Sequence, residues 1–231
     1  MMLTYDDIRE PLIEAIRNDR KARQLYELIQ RGAGTYNTAS EYAIRVGERL
    51  ARILRQNAPF ERIAEWDLEN LIPQSLGLDH EYVEQACEQV QLALNADAGL
   101  GINYVPPMFD GSRAYGLVAE LRNNPEFVNV ERTFYDQIVN FSQNVVDESI
   151  RSNATVLSNA GVQSKIVRRP EVGACAWCRA VAGTYDYTDV RQTRNDVWRR
   201  HENCRCTIDF ITERNGSEYR GRVTTESASQ K

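Results

Sequence analysis

Four of the five cysteines in this chain fall within one short stretch near its C-terminal end. The first two, Cys175 and Cys178, form a Cys-x-x-Cys pair, and the last two, Cys204 and Cys206, closely follow His201. A Cys-x-x-Cys turn lets two thiolates bind one metal ion at about 2.3 Å each, and two further ligands complete a tetrahedron. A fold that uses these residues together must bring the two ends of the intervening loop into contact.

The cluster offers five candidate metal ligands for four coordination positions. One set is Cys175, Cys178 and His201 with either Cys204 or Cys206; the other is all four cysteines, with His201 supporting them from outside. Two disulfides are the alternative in an oxidising environment. Residues 1–7 lack the basic and apolar segments of a signal peptide, so we expect folding in a reducing cytosol, where clustered thiols bind metal more often than they pair.

Catalytic sites fit the same cysteines poorly. A thioredoxin-type pair needs a βαβ setting, and a zinc deaminase places His-x-Glu ahead of Pro-Cys-x-x-Cys, whereas here His201 follows the pair and adjoins Glu202. A catalytic zinc keeps one position open, but this cluster has ligands to spare. The other histidine, His80, is expected to be exposed at a helix start. The sequence therefore predicts a structural zinc ion and no enzymatic activity.

Residues 1–160 have the pattern of an almost continuous helical region. Apolar residues recur every three or four positions, which places them on one buried face of each predicted helix. The stripes are Tyr42, Val46, Leu50, Ile53 and Leu54; Val83, Ala86, Cys87, Val90 and Leu94; and Phe127, Val130, Phe134, Ile138, Phe141 and Val145, beside Val146, Ile150, Ala154 and Leu157. Four arginines beside the first stripe are expected to be exposed, namely Arg45, Arg49, Arg52 and Arg55.

Capping signals predict where these helices begin. Thr38 and Glu41 match a capping box, Asp79 is a suitable cap for the second helix, and Asn124, followed by proline, is a suitable cap for the third. Gly77 is expected to lie in a loop before the second helix.

The pattern changes at residue 161. Residues 164–169 and 206–211 alternate partially between apolar and polar, which is typical of short strands, and residues 216–231 are predicted to be a mobile tail. The predicted fold is mainly α: an elongated α-helical region at residues 1–160, followed by a small α+β, cysteine-rich zinc-knuckle module at residues 161–215. In so short a module, a metal replaces part of the missing core.

Charge divides the chain at the same place. Residues 1–160 hold 15 basic and 24 acidic residues, a net charge of −9, whereas residues 161–222 hold 12 basic and 8 acidic residues, a net charge of +4. Because arginine binds phosphate through two N–H groups, arginines near the cysteines are candidates for DNA contact. They are Arg168, Arg169, Arg179, Arg199, Arg200 and Arg205. The alternative is a solvated surface with interleaved acidic residues.

Three runs in this module, at residues 175–179, 182–187 and 197–207, resemble tailed-phage head-morphogenesis proteins, the Mu F-like minor capsid proteins. That family pattern is a Cys-x-x-Cys, a Gly-Thr/Lys-Tyr/Phe turn and a closing His-x-Asn-Cys-Arg-Cys. The matching positions are Cys175, Cys178, Gly183, Thr184, Tyr185, His201, Asn203, Cys204, Arg205 and Cys206. The family often has proline where this chain has Glu202.

The resemblance implies a low-copy virion component at the portal or capsid interior, assembled in the host cytoplasm and acting in head assembly, genome packaging or DNA delivery. Its expected partners are the portal protein, the major capsid protein or both, with packaged DNA contacted through Arg168, Arg169, Arg199 and Arg200. No membrane is involved, and self-association is left open. The alternative is a zinc-ribbon nucleic-acid-binding protein with a helical regulatory domain; a zinc-dependent hydrolase or nuclease toxin is a third hypothesis.

Overall fold

Helices α1 to α6 precede the cysteine-rich segment in this computed structural model, which describes residues 3–57, 66–123, 130–191 and 197–220. They are α1 (Asp6–Asn18), α2 (Arg20–Gln30), α3 (Tyr36–Asn57), α4 (Leu68–Asp97), α5 (Gly111–Asn123) and α6 (Val130–Asn159). The C-terminal module contains β1 (Gln163–Arg169), α7 (Ala176–Ala180), β2 (Gly183–Asp186), α8 (Tyr187–Arg191), β3 (Thr207–Arg214) and β4 (Ser217–Tyr219). The chain is mainly α with a small α+β module, as predicted.

The predicted apolar stripes form the helical core. Helices α3, α4 and α6 pack against one another, and every stripe residue whose side chain is described is buried, including Cys87. Phe127 and the side chain of Val130 lie outside the described residues. Arg52 and Arg55 are exposed as predicted, but Arg45 and Arg49 are only partly exposed because both bind the buried carboxylate of Asp19.

Helix α3 begins earlier than its predicted capping box. Thr35 Oγ1 accepts a hydrogen bond from the Asn37 N–H (3.1 Å), and Thr38 Oγ1 accepts one from the Thr35 N–H (3.2 Å). Thr35 is therefore the N-cap residue of a helix that starts at Tyr36. The predicted box of Thr38 and Glu41 is wrong, because Thr38 lies in the first turn and accepts the Thr35 N–H instead.

Helix α4 also begins earlier than predicted. It starts at Leu68 and continues through Gly77, so Asp79 lies inside the helix and is fully buried. Leu71 and Leu76 extend the buried stripe towards the N-terminus. The predicted cap at Asp79 and loop at Gly77 are wrong because tertiary burial outweighs the weak local preferences of both residues. The predicted cap at Asn124 lies outside the described residues.

The sheet has strand order β2-β1-β3-β4, and all neighbours are antiparallel. Ile166 of β1, with Ile208 and Phe210 of β3, joins the same buried cluster as the helices. The cysteine-rich module is therefore packed directly on the helical core. β4 lies within the stretch predicted to be a tail, so the sheet continues past residue 215, whereas residues 221–231 lie outside the described part.

Among the described residues, no helix combines the length and apolar character needed to cross a membrane.

His80, predicted to be exposed, is half-buried on α4, where its ring packs edge-on against Phe109 at 5.7 Å. Burial lowers the pKa of His80.

Candidate metal centre

The start of α7 places the first two cysteines. Cys175 is the N-cap residue, and its Sγ accepts a hydrogen bond from the Cys178 backbone N–H at 3.4 Å. This bond bends the chain so that both sulfurs face the same side. Cys178 is buried, whereas Cys175 is exposed at the rim.

A tight turn before β3 places the other three candidates. Asn203 adopts a left-handed conformation (φ 55°), which asparagine tolerates better than most residues. The Cys204 N–H donates to the His201 carbonyl at 3.2 Å, which closes the turn. Cys204 and Cys206 are both buried beneath it, with their sulfurs within 4.8 Å of each other.

The five candidate ligands converge on Cys178. His201 Nε2 lies 2.9 Å from Cys178 Sγ and 3.4 Å from Cys175 Sγ, and Cys204 Sγ lies 3.9 Å from Cys178 Sγ. Two thiolates on one tetrahedral ion with bonds of about 2.3 Å are separated by about 3.8 Å. The ligand atoms of Cys175, Cys178 and His201 lie within 4.8 Å of one another, as do those of Cys178, Cys204 and Cys206. The cluster can therefore hold a metal ion, and Cys178 belongs to both groups.

Two buried guanidinium groups adjoin the sulfur of Cys204. Arg168 Nη2 lies 3.7 Å from it and Arg200 Nη1 lies 3.9 Å from it. The hydrogen bond with Cys206, followed by the charges of Arg200 and Arg168, lowers the pKa of the Cys204 thiol well below its usual range. The same hydrogen bond, with burial, raises the pKa of Cys206. The surroundings therefore stabilise a thiolate at Cys204, which is the form that binds metal.

Arg168 is held on β1 beneath the loop that carries His201. It is 1% exposed, donates to the Arg199 carbonyl at 2.8 Å and to the Val197 carbonyl, and its guanidinium lies 5.2 Å from the Trp177 ring centre. Trp177 in turn packs edge-on against His201. One arginine thus connects the strand, α7 and the ligand loop.

Helix α6 supports the ligand loop through three polar side chains at spacings of three and four residues. Asn140 Nδ2 donates to the His201 carbonyl (2.9 Å), and Gln143 Nε2 donates to the Cys206 carbonyl (3.1 Å). Asp147 binds Arg200 through two hydrogen bonds. Sequence reasoning missed these residues, although polar positions within a buried helical stripe were the available signal.

The predicted DNA-contact arginines have different environments. Arg168 and Arg200 are buried, so the prediction that they face DNA is wrong: their guanidinium groups are committed to carbonyls, to Asp147 and to Cys204. The other four arginines differ in exposure and pairing. Arg169 pairs with Asp209, and Arg205 pairs with Glu48 and Asp136. Arg179 and Arg199 are both exposed, and Arg179 donates to the Ala174 carbonyl.

All four cluster cysteines are free thiols in the structure. Comparisons of this chain with protein-family models, with curated proteins and with solved structures find no match. The resemblance to phage head proteins therefore depends on the motif, and the interpretation of the site depends on its geometry.

Proposed function

We propose that the protein is a minor head protein of a tailed phage, with no enzymatic activity, whose cysteine-rich module is held together by one structural zinc ion. One observation supports the proposal: the candidate metal ligands of the motif come together in space around Cys178. They are Cys175, Cys178, His201, Cys204 and Cys206.

The donor set favours zinc. Thiolate and imidazole ligands select zinc over magnesium or calcium, which prefer oxygen, and structural zinc sites combine four such ligands without an open position. Cys178 with three of the remaining candidates would hold the ion. When bound, zinc would cross-link α7 to the loop before β3.

The metal would act on more than its own loop. Asn140, Gln143 and Asp147 of α6 all bind that loop. A metal that holds the loop in place would therefore also stabilise its contacts with α6. Since ligands in an unfolded chain are dispersed, the free energy of metal binding contributes to folding. The module would then present a fixed surface to a portal or major capsid protein, with low copy number in the virion and assembly in the host cytoplasm.

The alternative function, a zinc-ribbon nucleic-acid-binding protein, receives less support. Two of the four arginines proposed for DNA contact are buried, and Arg169 is paired with Asp209. Arg199 remains exposed. Any DNA contact would therefore be limited in this part of the surface.

The function is tested by quantitative mass spectrometry of purified tailed-phage heads from the strain that encodes this chain. The proposal expects its peptides in DNA-filled heads or proheads, at a small fraction of the major capsid protein. Absence from both particles would contradict it. Binding to duplex DNA that weakens steeply with salt, together with absence from particles, would support the zinc-ribbon alternative.

A further inference from the structure

Asp79 is a fully buried carboxyl group at the junction of α3, α4 and α6. Its Oδ1 lies 2.8 Å from Ser142 Oγ of α6, and its Oδ2 is buried without a hydrogen-bond partner. No ion pair joins Asp79 to any cation among the described residues. A buried carboxylate without a cation is one of the most costly arrangements in a protein core.

The junction is closely packed. A Cβ on Gly47 of α3 would lie 2.3 Å from Ser142 Oγ and 2.9 Å from the Val139 Cα of α6. The absence of a side chain at Gly47 thus permits the contact between α3 and α6 beside Asp79. This packing leaves Ser142 as the polar group that faces the carboxyl.

The hydrogen count at Ser142 indicates the protonation state of Asp79. Ser142 Oγ lies 3.2 Å from the Ile138 carbonyl as well as 2.8 Å from Asp79, but a hydroxyl has one hydrogen to donate. If Asp79 carries a proton, it donates to Ser142 Oγ and Ser142 donates to Ile138. If Asp79 is ionised, Ser142 must donate to it, and the Ile138 contact loses its hydrogen.

We propose that Asp79 is a neutral carboxylic acid in the folded protein and that it forms a pH-sensitive lock between α4 and the α3–α6 pair. At low and neutral pH the lock is closed by the two hydrogen bonds through Ser142. At alkaline pH ionisation of Asp79 places an uncompensated charge in the junction, and α4 separates from its neighbours more readily.

Within the described part of the chain, the groups around Asp79 offer no compensating charge. α3 presents Tyr42 and Gly47, α6 presents Ser142, and Tyr82 lies one turn further along α4; Tyr42 interacts electrostatically with both Asp79 and Tyr82. Neither tyrosine is a cation at any pH. Burial raises the pKa of Asp79 to about 8, and the hydrogen bond with Ser142 offsets part of that rise.

The first test compares the wild type with Asp79→Asn, a neutral residue of the same shape, by urea unfolding at pH 5, 6 and 7. An unfolded aspartate is ionised in this range, so unfolding of the wild type releases one proton that the variant does not have. We expect the ratio of the wild-type to the variant unfolding constant to rise about tenfold per pH unit. Glu81→Gln, an exposed position of the same helix, serves as the control and should leave the pH dependence unchanged. A constant ratio would overturn the proposal.

The second test needs no variant and decides the question if Asp79→Asn does not fold. Carbon-13 NMR of wild-type protein labelled at aspartate carboxyls reports each protonation state directly. We expect the carboxyl assigned to Asp79 to remain protonated at pH 6 and to titrate only near pH 8. Amide exchange in α4, expressed relative to the intrinsic exchange rate at each pH, should accelerate over the same range. An Asp79 carboxyl that is ionised at pH 6 would overturn the proposal.

Discussion

Arg200 and Asp147 form a two-pronged ion pair in the interior of the protein. Arg200 Nε to Asp147 Oδ2 and Arg200 Nη2 to Asp147 Oδ1 are both 2.8 Å, and the side chains are 3% and 2% exposed. Arg200 Nη1 also donates to the Cys206 carbonyl at 2.7 Å. The pair therefore anchors the loop of metal-ligand candidates to the middle of α6.

Removing the charge of Asp147 from its ion pair with Arg200 should destabilise the folded protein. Asp147→Asn leaves a buried guanidinium without its counter-charge, and we expect a loss of about 3–5 kcal/mol in the free energy of unfolding. Urea denaturation measures it. The control is Glu148→Gln, which removes the exposed pair with Arg151 and should cost less than about 1 kcal/mol. Equal effects of the two substitutions would contradict the proposed anchoring role.

Arg168 should affect metal affinity without being a ligand. Arg168→Gln removes a positive charge beside Cys204 Sγ, and groups that support metal ligands typically change affinity by about 10- to 100-fold. Competition with a zinc chelator measures this change. The exposed Arg179 provides the matched control, because its guanidinium donates to the Ala174 carbonyl and not to a cysteine sulfur. Arg179→Gln should leave affinity within about twofold of the wild type. A similar loss in both variants would mean that general charge, not the contact with Cys204, sets the affinity.

The close approach of α3 and α6 at Gly47 predicts that a side chain at this position destabilises the protein. Gly47→Ala places a methyl group 2.3 Å from Ser142 Oγ, and we expect destabilisation by about 1–3 kcal/mol because α3 and α6 must separate. Gly77→Ala in α4 meets no atom within 4 Å and should stabilise the protein by up to about 1 kcal/mol. Thermal unfolding of both variants measures the difference. A stabilising effect at Gly47 would show that the junction is looser than described.

The lowered pKa of Asp19 predicts that the free energy of unfolding falls in acid. Burial opposes its ionisation, but hydrogen bonds from the Ala22 N–H, Arg49 and Arg45 outweigh burial and lower the pKa of Asp19 to about 2. Because the folded pKa lies below the unfolded value of about 3.9, Asp19 stabilises the protein above pH 4, and this contribution disappears as pH falls towards 2. Asp19→Asn should therefore cost about 2 kcal/mol at pH 7 and little at pH 2. Urea unfolding at the two pH values measures this, and an equal cost at both would contradict it.

Periodicity predicted the parts of the fold that depend on burial alone. The stripes from Tyr42 to Leu54 and from Val83 to Leu94 are buried, and strands occur close to both predicted positions, at β1 and β3. The starts of α3 and α4 were wrong because several residues have adequate capping chemistry, and the choice among them depends on tertiary contacts. Asp79 is the clearest case, since its side chain is buried instead of capping a helix.

The candidate site was predictable to the extent that its ligands follow a spacing rule. Cys175, Cys178 and His201 come together as the pattern indicated. The supporting residues have a weaker signal: Asn140 and Asp147 are polar positions within a buried helical stripe, but they lie far from the cysteines in sequence and no motif assigns them to this site. The sequence analysis wrongly predicted that Arg168 lies on the surface, because composition cannot distinguish a solvated arginine from one that is buried against carbonyl groups.

The most direct test of the central claim is native mass spectrometry of the purified protein, without reductant, for metal content. We predict one zinc ion per chain in the wild type and in Cys87→Ser, whose sulfur lies in the helical core, and no zinc in Cys178→Ser, since Cys178 belongs to both ligand groups. A wild-type protein without metal, and lighter by four hydrogens, would contradict the account, because the cluster would then consist of two disulfides.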